Sequence, residues 1–181
     1  MKADLADLER ETRAAIDDAR ALIAQLTPAQ AVARPLPNSW SPAECLDHIT
    51  LTVEAFLPLI DQAIARGAPR SDQPYIPGWL GRWFLRILEP PVKHGVKAPP
   101  KFVPMASHRS GDEALAAFRQ AHEYLLARIP QLAALDLRRI RVPSPFATWM
   151  TYPLGLVCYL IPAHCRRHLW QARNKPMPPR G

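Results

Sequence analysis

The sequence is poor in cysteine. Three in 181 residues is an odd, small number that argues against a disulfide-stapled secreted scaffold and fits a reducing compartment where each thiol stays free. No leader is expected either: Lys2, Asp4, Asp7, Glu9 and Glu11 leave no room for the apolar core of a signal peptide, so a cytoplasmic location is expected. No long hydrophobic run goes uninterrupted. Val142 to Ala163 holds no charge, but Pro143, Pro145, Pro153, Gly155 and Pro162 punctuate it, which favours a buried core helix with its approach loop over a transmembrane segment. Alternating strand patterns of useful length and internal repeats are both missing, leaving an all-α bundle as the economical fold. With 48% hydrophobic and 22% charged residues, a single soluble domain with a full core accounts for the length.

Acids are scarce in one region. Residues 124–181 hold nine Arg and Lys against Asp136 alone, whereas the first 123 hold fourteen against fifteen, within a net charge of +7. Such a gradient suits an anionic partner or a plain solvated face equally well. No signature of a nucleic-acid module accompanies it, so no specific nucleic-acid binding is expected.

What is present is helical periodicity. Leu5, Leu8, Ala15, Ile16, Ala19, Leu22, Ile23 and Leu26 recur at helical spacing, predicting one amphipathic helix over 3–26. Thr27 to Ser39, with three prolines, reads as a connector. Ser41, Pro42 and Glu44 form an S-x-x-E capping box with proline at the first helical position, opening a second helix to about Arg66, with Pro58 inside it as a kink point. Residues 67–109 form a Pro- and aromatic-rich excursion. Within it, Leu80, Trp83, Phe84, Ile87 and Leu88 share a face of a short helix between Pro77-Gly78 and Pro90-Pro91, which could be a lid, a dimer contact, a membrane-surface patch or simple packing. A second capping box, Ser110 to Glu113, opens a third long helix ending near Pro130, its core face carrying Leu115, Phe118, Leu125 and Ile129. A fourth runs from about Thr151 to Arg173. The bundle domain is thus expected over 1–174, with a flexible tail over 175–181.

The chemistry sits in the histidines. His164 and His168, four apart, place both imidazoles on one helix face one turn apart, the face that continues through Val157, Leu160, Ile161 and Gln171. His48 lies on the inward stripe of Cys45, Thr52, Ala55 and Leu59 in the second helix. Three inward imidazoles from two helices can converge on a divalent metal and leave coordination positions open, although core histidines that merely hydrogen-bond carry the same spacing. His122, between Phe118 and Leu125, could be a base or a satisfied core histidine. Cys45 could be a fourth ligand or a buried small hydrophobe. Glu44 and Gln171, each one turn from a histidine, could orient their rings, and Trp40 walls the pocket. His94 and His108, among lysines and an arginine, read as solvent-facing.

These residues resemble the DinB-like metal-binding four-helix bundles. The resemblance rests on Asn38-Ser39-Trp40-Ser41-Pro42-Ala43-Glu44-Cys45-Leu46-Asp47-His48 and on Ala163-His164-Cys165-Arg166-Arg167-His168-Leu169-Trp170-Gln171, with Ser144-Pro145-Phe146 upstream. It covers nearly the whole chain and implies an up-down-down-up bundle in which His48, His164 and His168 hold a divalent metal, nickel or zinc. It also implies a homodimer and, as in its thiol-dependent members, a low-molecular-weight thiol as cosubstrate. The excursion over 67–109, Pro58 and Pro162 depart from the family pattern. Two functions follow as expectations. One is a metal-dependent enzyme of thiol-transferase or hydrolase type acting on a small molecule; the other is a non-catalytic, metal-stabilised interaction module.

Overall fold

Three helices begin where a short polar side chain satisfies free backbone donors. In the computed structural model, which describes residues 3–36, 39–67, 73–91, 98–104, 109–147 and 149–174, six helices carry the architecture: α1 (Ala3–Ala24), α2 (Pro28–Val32), α3 (Pro42–Arg66), α4 (Trp79–Leu88), α5 (Gly111–Leu132) and α6 (Leu154–Asn174). Ser41 caps α3 and Ser110 caps α5, in both cases with the N3 glutamate returning to the cap N–H, as the sequence predicts. Gly67, at φ +61°, ends α3 in a conformation that a side chain would disfavour. Pro58, Pro130 and Pro162 all lie inside continuous helices, so α5 passes the expected stop at Pro130 by two residues.

Two expectations are corrected. The connector after α1 contains α2, a one-turn helix with its own capping box: Thr27 accepts from Gln30 N–H, and the Gln30 side chain accepts from Thr27 N–H. The fourth long helix starts at Leu154, because Thr151–Pro153 is a strand, β2, paired antiparallel with β1 (Arg141–Pro143) around Val142 and Tyr152. Three residues are too few to show a period of two, which hid the hairpin.

The four long helices close on one another. α3 and α1 each pack against both α5 and α6, and the core between them holds Leu5, Leu8, Leu46, Ile49, Phe56, Phe118, Leu125, Ile129 and Leu154. Burying these large apolar side chains supplies most of the driving force. Ion pairs tie the basic C-terminal part to acids of the N-terminal half: Arg166 to Glu11 and Glu89, Arg173 to Asp18, and Arg128 to Asp61. Part of the charge gradient seen along the sequence is therefore answered within the fold. No described helix is long and apolar enough to cross a membrane. The tail 175–181, His94 and His108 lie outside the described residues.

Candidate metal centre

The packing of α3 against α6 brings His48, in the second turn of α3, to His164 and His168. Ring centroids lie 4.4 Å apart for His48–His168, 4.5 Å for His164–His168 and 4.9 Å for His48–His164. All three side chains are buried, and one ligand nitrogen from each falls within 4.8 Å of the others. The i, i+4 spacing and the inward stripe thus do bring together the residues that the sequence picked out.

A backbone carbonyl fixes one ring. His48 Nδ1 lies 2.7 Å from the carbonyl oxygen of Phe102, which can only accept, so Nδ1 carries the proton and Nε2 of the neutral ring presents its lone pair to the cluster. That Nε2 lies 3.2 Å from His164 Nε2. Among the described residues, Nδ1 of His164 and Nδ1 of His168 are buried without a hydrogen-bond partner. Orphaned imidazole nitrogens in a protein interior are costly. Trp40 closes one side, its ring 4.6 Å from His48 and 5.8 Å from His168, and Phe146 flanks His164 at 6.3 Å.

The electrostatics favour neutral rings. Burial pushes His164 down to about 3, with His48 and the Arg167 guanidinium adding to the effect. Burial is also the main cause for His168, which lies well below the usual histidine range, with His164, His48 and Arg167 lowering it further and Gln171 opposing them. His48 is lowered by burial and by Arg167 against the opposing bond to Phe102. Three neutral imidazoles, converging, with one tautomer set by a carbonyl and no carboxylate in the group, fit the donor set of a divalent borderline-soft cation.

The remaining sequence candidates fall outside this group. Glu44 is buried, accepts from Ser41 N–H at 2.8 Å and pairs with Arg34 Nε at 2.9 and 3.0 Å; its capping duty and Arg34 occupy it, and the carbonyl of Phe102 holds His48 instead. Cys45 is fully buried in the core. His122 is a satisfied core histidine: Nδ1–H donates to the Phe118 carbonyl at 2.7 Å, Nε2 meets the Cys165 thiol at 3.4 Å and the ring stacks on Phe118 at 3.9 Å. Gln171 is half-buried beside His168. Trp40 stands where the sequence places it.

Two contributors escaped the sequence. Phe102, in a 3₁₀ turn over Pro100–Phe102 packed on α3, acts through a backbone atom and has no residue-type signature. Arg167 belongs to the basic C-terminal run that suits a solvated face, yet it is buried, donates to the Ile87 carbonyl at 3.1 Å and depresses all three histidines. Its place between two histidines on the inward-facing part of α6 was the available signal.

Neither curated proteins nor solved structures gave a match to this chain. A family model described as the DinB superfamily matches residues 11–172, a span that includes Trp40, all three clustered histidines and the turn that holds His48, and the chain therefore belongs to the DinB superfamily.

Proposed function

We propose that His48, His164 and His168 are the protein ligands of a divalent metal ion, nickel or zinc, and that the protein is a metal-dependent enzyme of thiol-transferase or hydrolase type acting on a small molecule. The observation that carries this reading is the convergence of three buried, neutral imidazoles, two of them with an unpartnered Nδ1. Imidazole nitrogen suits both metals. Bound there, such an ion lowers the pKa of a coordinated water or thiol, or polarises a substrate carbonyl.

The chain's own residues support that role in distinct ways. The Phe102 carbonyl orients His48. Trp40 and Phe146 give the site apolar walls, which exclude water and strengthen polar contacts within. Arg167 adds a fixed positive charge nearby, suited to a substrate carboxylate. Among the described residues the group offers three ligands, with neither Cys45 nor His122 in it. Three protein ligands favour a catalytic site with open positions over a closed structural one. A low-molecular-weight thiol as cosubstrate, pairing as a homodimer, a cytoplasmic setting and the up-down-down-up order of the long helices belong to the same reading and rest on the family.

Cobalt(II) substitution tests open coordination directly. The visible spectrum of the cobalt-loaded protein is expected to change on addition of a small thiol, and His168→Ala to abolish the cobalt spectrum. A cobalt spectrum indifferent to thiols, imidazole and azide would mark a closed site and favour the interaction module.

A further inference from the structure

Helix α4 has two apolar faces, and only one is used. Phe84, Leu85 and Leu88 pack on the core, Gly81 lies close against Leu156, Arg167 grips the Ile87 carbonyl, and Glu89, which caps the end of α4, is turned to Arg166 at 2.9 Å. The helix is thus clamped to α6. Its other face points outward with Trp79 75%, Leu80 58%, Trp83 58% and Ile87 41% exposed. The sequence grouped Leu80, Trp83 and Ile87 with Phe84 and Leu88 on one face; the structure divides them between solvent and core.

The order of residues around that outer face is specific. At about 3.6 residues per turn the arc runs from Ile87 and Leu80 through Trp83 and Trp79 to Arg86 and Arg82. Both arginines are exposed. Among the described residues neither forms an ion pair with a carboxylate; Arg82 donates only to the Pro77 carbonyl at 3.4 Å. Aliphatic side chains, then tryptophans, then arginines form the gradient of a helix lying in a lipid interface, with apolar groups among acyl chains, indoles at the headgroups and guanidinium groups on phosphate.

We infer that α4 is a membrane-surface anchor that binds anionic lipid. Charge selects this occupant over a second copy of the chain: a two-fold contact through the same face would set Arg82 and Arg86 against their own counterparts with no acid on α4's outer face to pair them. Area agrees. A ten-residue helix is about 15 Å long and about 10 Å across, so its outer half presents about 240 Å², against the ~800 Å² each partner gives a stable protein interface. Interfacial anchoring needs only a few inserted side chains together with anionic lipid. The inference stands apart from the metal reading.

Co-sedimentation of the full chain with phosphatidylcholine vesicles, with and without phosphatidylglycerol, tests it, together with quenching of tryptophan emission by brominated acyl chains. Binding is expected only to the anionic vesicles, with quenching. The W79S/W83S variant should bind about tenfold more weakly, R82Q/R86Q should also weaken, and R138Q/R139Q, at exposed arginines outside α4, should stay within about twofold. No binding by the unaltered protein overturns the inference. So does binding lost equally in R138Q/R139Q and kept in W79S/W83S, which would be diffuse attraction to a basic protein. A dimer that W79S/W83S converts to monomer overturns it as well, by showing that a second copy covers the face. Should W79S/W83S fail to fold, R82Q/R86Q and the quenching of the unaltered protein still decide it.

Discussion

His122 makes the protein's stability fall with acid by an amount that its burial sets. The ring is enclosed between α5 and α6, with Nδ1–H given to Phe118 and Nε2 facing Cys165. Burial lowers its pKa to about 4 from the ordinary 6.5, against the opposing bond to Phe118. The unfolded chain therefore takes up the proton first as pH falls. The stabilisation is complete above about pH 6.5 and disappears progressively toward pH 4. For these two pKa values the loss is about 1 kcal/mol by pH 5.5 and about 3 kcal/mol by pH 4. His122→Gln keeps a donor for the Phe118 carbonyl and does not titrate. Urea denaturation of both proteins in chelator, from pH 7.5 downward, should show the unaltered protein losing about 1 kcal/mol relative to the variant by pH 5.5. A difference between them that does not change with pH would refute the reasoning.

Other substitutions probe the scaffold around the site. Gly155→Ala would place a methyl group 2.2 Å from Tyr75 Cγ, and thermal or urea unfolding should show a loss of about 1–3 kcal/mol from overpacking. Glu44→Ala removes the return half of the α3 capping box and leaves Arg34 unpaired; since the Arg34 side chain is 42% exposed and water can solvate it, most of the expected loss of about 1–2 kcal/mol comes from the cap. The carboxyl of Glu44 is raised by burial but lowered more by Arg34 and Ser41, for a net depression, so its contribution is present above the ordinary carboxylate range and lost as pH falls through the folded value. The penalty of Glu44→Ala measured by unfolding should accordingly shrink in acid.

The parts of this protein that were legible in its sequence are those that side-chain type writes directly. Ser41 with Glu44 and Ser110 with Glu113 marked two helix starts, because capping needs particular donors and acceptors at fixed spacing. The i, i+4 pair His164 and His168, and His48 on an inward stripe, converge because helical period and burial dictate it. Thr27-Pro28-Ala29-Gln30 carries the same capping chemistry, hidden by the brevity of the helix it opens. The β1–β2 hairpin was too short to show a period. The split of α4 into a docked and an exposed apolar face depends on where α6 lies, which no local pattern records. The carbonyl of Phe102 reaches His48 across 54 positions, and a backbone atom leaves no trace in residue type.

Metal stoichiometry tests the central claim most directly. Mass-spectrometric metal analysis of untagged protein, purified without chelator and reloaded with nickel or zinc, should give about one equivalent per chain, lost in His164→Ala and retained in His122→Gln. No tightly bound metal in the reloaded protein, or equal occupancy in His164→Ala, would contradict the account and leave His48, His164 and His168 as core histidines.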